Sequence, residues 1–122
     1  MPNSSSAAAR KTMVDCQLRP SKVIDQHVLD AFMTIPREEF VGKQQRALAY
    51  VDEDLPLPGG RCLMQPMVLA RLIQALQLRP EDNLLIVGAG CGYGAAIAAS
   101  LVGSVIAIET RANLVEKAQD VL

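Results

Sequence analysis

The chain reads as an α/β protein on a parallel sheet, with a helical segment placed before the sheet. From residue 84 onward the order is apolar strand, glycine-rich turn, helix, apolar strand, acid, helix. That is a βαβ unit, and it implies a parallel sheet. Half of the 122 residues are apolar, enough for a core and too many for global disorder. Only 3% are aromatic and there is no Trp, so the core falls to Leu, Ile, Val, Ala and Met.

The elements follow in order. Residues 1–12 hold no hydrophobic stretch before a cleavage site, so they are no secretory signal and read as a disordered leader. Residues 13–18 form a helical turn or two, stopped by Pro20. Asp25 is an N-cap for a helix carrying Val28, Leu29 and Phe32. Pro36 ends that helix, because the residue before a proline is pushed out of the α region. Pro36-Arg37-Glu38-Glu39-Phe40 is a short turn with Pro in first position and acids behind it. Residues 49–60, with their acids, prolines and glycines, predict an extended loop.

Pro66 opens a helix whose Leu69, Leu72, Ile73 and Leu76 make a core-facing stripe. Arg79-Pro80-Glu81-Asp82 is a turn. Residues 84–87 and 105–108 are apolar runs of the kind buried on both faces of a sheet. Between them an Ala-rich helix spans about residues 93–101, thin enough to pack closely on the strands. Residues 112–122 are helical, with Leu114, Val115, Ala118 and Val121 on one side. The expected organisation is a leader over 1–12, a helical and loop region over 13–66, and the sheet-bearing region over 67–122.

Several classes of function drop out. Twelve basic against thirteen acidic side chains give a net charge of -1, without the basic footprint of a nucleic-acid or anionic-membrane binder. No apolar run approaches the ~18 residues of a membrane span. Cys16, Cys62 and Cys91 are odd in number and lack metal-ligand spacing. Free thiols in a cytoplasmic protein, with no metal, are the expectation. His27 reads as a solvated helix residue, and Met67 as core filler.

The informative segment is Val87-Gly88-Ala89-Gly90-Cys91-Gly92-Tyr93-Gly94. A strand ending at glycine and re-entering a helix leaves amides at the helix start, a seat for an anion. Glycines also let a ligand approach the main chain. Glu109 ends the next strand, where an acid accepts hydrogen bonds from both hydroxyls of a ribose. Two cofactors fit this pattern. Gly88-x-Gly90-x-Gly92 is the turn for S-adenosylmethionine, and Gly90-x-Gly92-x-x-Ala95 satisfies the looser dinucleotide fingerprint. Only the first frame starts where the strand ends, which favours the methyl donor.

These segments resemble the protein-L-isoaspartate O-methyltransferase family. The resemblance runs in order through Val14-Asp15-Cys16-Gln17-Leu18-Arg19, Val28-Leu29-Asp30-Ala31-Phe32, Ile35-Pro36-Arg37-Glu38-Glu39-Phe40-Val41 and Ala49-Tyr50-Val51-Asp52. It continues through Leu55-Pro56, Gln65-Pro66, Gly88 to Tyr93 and Ile108-Glu109. Pro-Arg-Glu-x-Phe-Val and Ala-Tyr-x-Asp are the most specific, since generic nucleotide binding asks for neither. The resemblance implies a Rossmann-like methyltransferase fold, of which this chain carries the first βαβα units. It implies methyl transfer from S-adenosylmethionine to the carboxylate of isoaspartyl residues in damaged proteins, with S-adenosylhomocysteine as product.

It also implies site residues. Gly88, Ala89, Gly90, Gly92, Tyr93 and Glu109 would hold the cofactor. The family's substrate loop, roughly Gly-Gln-Thr-Ile-Ser-Gln-Pro, falls on Gly60-Arg61-Cys62-Leu63-Met64-Gln65-Pro66. Met64 stands at the position of the serine and, as a thioether, donates no hydrogen bond. Cys62 replaces the threonine, and Arg61 replaces the glutamine with a group able to hold a carboxylate bidentately. Ile86 stands where the family has a glutamate near the cofactor's amino group. The alternative reading is a non-catalytic relative binding the adenosyl cofactor or a protein partner. Set against the family's sheet, the chain is expected to be incomplete and to associate, with itself or a partner, over its open strands.

Overall fold

The computed structural model describes residues 4–122, and the chain path follows the expected order with two additions on its N-terminal side. The first is α1, Ser4–Met13, where the sequence predicts a disordered leader. Three consecutive alanines favour the helix, and a tertiary contact holds it in place. Arg10 donates to the Tyr50 hydroxyl and to Glu38, both at 2.9 Å. Residues 1–3 lie outside the described residues.

A wider π turn, Val14–Leu18, and a 3-10 turn, Arg19–Ser21, continue the path. Pro20 does not stop it. Proline sits in the first turn, where its missing N–H breaks no bond, and the chain leaves at Lys22 with φ 67°. Gln74 then clamps the next segment. Its amide oxygen accepts from the N–H groups of Ile24 and Asp25, and its amide nitrogen donates to the Lys22 carbonyl.

Helix α2, Gln26–Thr34, is capped as expected: the Asp25 carboxylate accepts from the N–H groups of His27 (2.9 Å) and Val28 (3.4 Å). Ile35 is extended ahead of Pro36. Two 3-10 segments follow, Arg37–Phe40 and Lys43–Leu48.

The second addition is a hairpin. Strands β1, Leu55–Leu57, and β2, Arg61–Leu63, pair antiparallel, where the sequence predicts an extended loop. Pro56 is tolerated because, among the described residues, the pair has no further strand on either side. Burial of Leu55, Leu57 and Leu63 supplies the gain that a short window of sequence does not reveal.

Helix α3, Pro66–Ala75, starts where predicted but is rotated from the predicted stripe. Pro66, Ala70 and Ile73 are buried and Leu69 packs against the core, whereas Leu72 and Leu76 are more than half exposed. After the turn closed by the Asp82 amide on the Arg79 carbonyl come β3, Asn83–Val87, α4, Tyr93–Ala99, β4, Ser104–Ile108, and α5, Ala112–Val121. β3 and β4 pair parallel, in register from Asn83↔Ser104 to Val87↔Ile108. Ala95, Ala96 and Ala98 of α4 are buried, as a thin sheet-packing helix requires.

The strands are not buried on both faces. Leu85, Val87, Ile106 and Ile108 are 60%, 72%, 65% and 49% exposed, so one apolar face of the sheet lies open. The other elements share a core that runs from Met13 and Phe32 through Leu63 to Tyr93, Ile97 and Leu114. It crosses from the helical region into the sheet-bearing region. No helix among the described residues is long and apolar enough to cross a membrane.

Candidate functional site

The site forms where β3 and β4 end side by side. Their parallel register puts Gly88 and Glu109 one step beyond the Val87↔Ile108 pair. The turn after β3 is built on positive φ at Gly88 (74°), Gly90 (61°) and Gly92 (92°), which side chains rarely adopt. The turn folds back on β4: the N–H groups of Gly88 and Ala89 both donate to the Ile108 carbonyl, at 2.8 and 3.0 Å. Gly92 N–H donates to the Ala89 carbonyl at 3.1 Å. Four amides expected in part to face an anion are thus paired inside the fold, since Gly90 N–H goes to Glu109.

Glu109 is the centre of the arrangement. Its Oε1 accepts from Gly90 N–H at 2.7 Å, and its Oε2 accepts from Arg111 N–H at 2.9 Å. Oε2 also takes Arg61 Nη1 at 2.7 Å. The Arg61 guanidinium, then the Arg111 and Gly90 amides, hold the carboxyl well below its ordinary value, to about 2. The acid is therefore ionised at every physiological pH, with its side chain only 4% exposed.

Arg61 reaches this site from β2. Its Nη2 also donates to the Gly88 carbonyl at 3.1 Å, so one guanidinium spans the turn and the acid. The resemblance places Arg61 in the loop expected to meet substrate; the fold places its side chain on Glu109, the acid expected to meet cofactor. Cys62 is exposed in the same strand. Met64 contributes its carbonyl, which accepts from Arg37 Nη2 at 3.1 Å. Tyr93 has its ring in the core, edge-on to Phe32 and Phe40 at centroid distances of 6.0 and 5.5 Å. Cys91 is buried, and burial pushes its thiol up.

The residues to which the sequence assigns no role are those that fix the loop over 61–65. Arg37 donates to the carbonyls of Ala49 (2.6 Å) and Met64 (3.1 Å). Tyr50 bonds Glu38 and Arg10 and accepts from Arg37 N–H, while its carbonyl accepts from Gln17. Asp52 and Asp54 take the side-chain and main-chain N–H groups of Gln65, at 2.6 and 2.7 Å. The Pro-Arg-Glu-x-Phe-Val and Ala-Tyr-x-Asp segments are thus a frame that interlocks and holds residues 61–65. Their joint presence was the signal. A groove of about 820 Å³ lined by Glu38, Arg46, Tyr50 and Asp120 lies apart from the glycine turn.

Parallel strands, a glycine turn into α4 and an acid at the end of β4 define the first part of a Rossmann-like methyltransferase fold. The comparisons agree. A solved protein-L-isoaspartate O-methyltransferase superposes with a TM-score of 0.78 at 29% identity, over 91% of this chain and 37% of the other. A Plasmodium falciparum structure assigned to that activity, in complex with S-adenosyl-L-homocysteine, superposes with a TM-score of 0.72 at 22% identity, covering 91% of this chain and 53% of the other. That second likeness bears on the fold alone.

The family model for protein-L-isoaspartate(D-aspartate) O-methyltransferase matches residues 8–122, and the chain belongs to that family. The protein-L-isoaspartate O-methyltransferase of Koribacter versatilis (strain Ellin345) is 44% identical over 108 residues, covering 88% of this chain and 49% of the relative. That of Methylorubrum extorquens (strain PA1) is 46% identical over 113 residues, covering 93% and 50%. The chain spans about half the length of the curated relatives it matches.

Proposed function

We propose that the chain serves methyl transfer from S-adenosylmethionine to the free carboxylate of isoaspartyl residues in damaged proteins. The observation that carries this reading is Glu109, ionised at the end of β4 and fixed against the Gly90 amide at 2.7 Å. An acid so placed accepts from ribose hydroxyls. The residues fit an adenosyl group: a Cβ at Gly88 or Gly90 would close on Arg61 Nη2 at 3.3 Å or Leu57 Cδ1 at 3.4 Å, so the cradle is already tight. Glu109 would take the ribose, and Gly88, Ala89 and Gly90 would let the ligand lie against main chain.

The bound cofactor supplies a methyl group activated on a sulfonium. The accepting carboxylate is ionised near neutral pH, so the chain need supply no base. Its work is alignment and exclusion of water. The loop over 61–65 is suited to that, because Arg37 and the Asp52/Asp54 pair hold its backbone. Met64 offers the substrate no hydrogen bond from its side chain, so polar contacts there fall to Arg61 and to main chain. Isoaspartyl peptides and proteins are the proposed substrates. The proposed setting is the cytoplasm, and the proposed solution state is one in which the open sheet face is covered by association.

The test is calorimetric titration with S-adenosylhomocysteine, with NAD as control, followed by labelled methyl transfer to an isoaspartyl peptide and its aspartyl isomer. Binding of the homocysteine compound alone and transfer to the isoaspartyl peptide alone support the reading. Binding without transfer removes the catalytic part of it. A folded chain that binds neither ligand overturns it.

A further inference from the structure

We propose that Arg61 is an internal competitor for the cofactor: its guanidinium occupies the carboxylate that the ribose needs, and entry of the cofactor displaces it. The inference rests on the cofactor reading above and adds to it a lock built from this chain's own side chain.

The argument is a count of acceptor sites. A carboxylate offers about four lone-pair positions. Three donors already use Glu109: Gly90 N–H on Oε1, and Arg111 N–H and Arg61 Nη1 on Oε2. A ribose brings two hydroxyls, so one donor must leave for both to bind. The Gly90 amide cannot leave without unwinding the turn, whose neighbouring amides are tied to Ile108. The Arg111 amide is fixed at the N-terminus of α5. Arg61 alone is a long side chain, 31% exposed, whose departure disturbs no backbone.

Its second contact points the same way. Arg61 Nη2 bonds the Gly88 carbonyl at 3.1 Å, so the guanidinium lies across the mouth of the turn. The hairpin tip is held over that mouth by Arg111, which donates to the Gly59 carbonyl at 3.2 Å. The free chain therefore pairs its ribose acceptor with a cation, and its apparent affinity is reduced by the fraction of molecules so paired.

The test compares the unmodified chain with Arg61→Gln and Arg61→Lys by calorimetric titration of S-adenosylhomocysteine, after circular dichroism and melting show each variant folded. Arg61→Gln is expected to bind roughly two- to sixfold more tightly, the range set by a partly exposed ion pair. Arg61→Lys should stay near the unmodified chain, because it keeps the charge. Raising salt from about 0.02 to about 0.3 M should tighten the unmodified chain and leave Arg61→Gln unmoved. The salt series needs no variant, so it decides the matter even if Arg61→Gln fails to fold. Equal or weaker binding by Arg61→Gln, or no salt effect on the unmodified chain, overturns the lock and leaves the cofactor site standing. Absence of binding by every form overturns both.

Discussion

The Arg37 guanidinium lies over the ring of Tyr93, its Cζ 4.9 Å from the ring centroid, and both side chains are fully buried. The partners of this cation are carbonyls and a π face. Nε and Nη2 donate to the carbonyls of Ala49 and Met64, while Nη1 and the Tyr93 hydroxyl have no hydrogen-bond partner among the described residues. Burial lowers the Arg37 pKa, and the ring's negative face opposes that cost. The pair ties the frame around the loop over 61–65 to the start of α4.

Arg37→Met is expected to destabilise the chain by about 2–4 kcal/mol, since two buried carbonyls lose their donors. Arg37→Lys should lose less, keeping charge but not the planar fork. Urea unfolding followed by circular dichroism measures both. A loss below about 0.5 kcal/mol for Arg37→Met would refute the clamp.

The three positive-φ glycines of the turn after β3 differ in what surrounds them. A Cβ at Gly92 would meet Ala118 Cβ at 3.0 Å and Leu122 Cδ1 at 3.1 Å, pressing α5 away, whereas at Gly88 it would meet only the tip of Arg61 at 3.3 Å. Gly92→Ala should therefore cost more stability than Gly88→Ala, about 1–3 kcal/mol against about 1 kcal/mol, and melt at the lower temperature. Cofactor affinity should suffer in Gly88→Ala even where stability does not. Thermal melts beside titrations with S-adenosylhomocysteine would show the two orders to be opposite.

The carboxyl of Glu109 titrates lower in the fold, at about 2, than its ordinary 4.5. A depressed acid stabilises the fold at full strength above the ordinary value and loses that contribution as pH falls toward the depressed one. Stability from this group is thus constant above about pH 5 and declines progressively as pH falls from about 4.5 toward 2. Carboxyl-detected NMR across an acid titration should find Glu109 ionised at pH 3.5, about one unit below the ordinary range. Arg61→Gln should move its midpoint upward.

The open face of the β3–β4 pair presents Leu85, Val87, Ile106 and Ile108 to solvent. Such a contiguous apolar face promotes association. The chain should elute above its monomer mass, 13.1 kDa, in size-exclusion chromatography with light scattering. Val87→Lys with Ile106→Lys should shift it toward monomer without loss of helical signal. A sharp monomer peak from the unmodified chain would count against the expectation.

Local signals in this sequence were legible where the physics is local. Asp25 caps α2 by bonds to residues two and three positions on, and Ile35 leaves the helix because Pro36 follows it. The βαβ order told that β3 and β4 would be parallel and that Glu109 would close β4 beside the glycine turn. The α3 stripe was misjudged because periodicity gives a face but not its neighbour. Leu72 and Leu76 share the period of Leu69 and Ile73, yet only Leu69 and Ile73 meet the core.

By itself, then, the sequence determined the family, the α/β order and the position of the acid, all set by sterics, capping and short-range register. The tertiary structure alone decided what that acid meets. Arg61 and Glu109 stand 48 positions apart, and no window of sequence brings them together. They meet because hairpin β1–β2, stabilised by burying Leu55, Leu57 and Leu63, is folded over the ends of β3 and β4. Helix α1 is the same case: Arg10 finds Tyr50 and Glu38 only after the chain has turned back. Contacts of this kind depend on long-range packing, whose gain is spread over many residues and is specified by none of them singly.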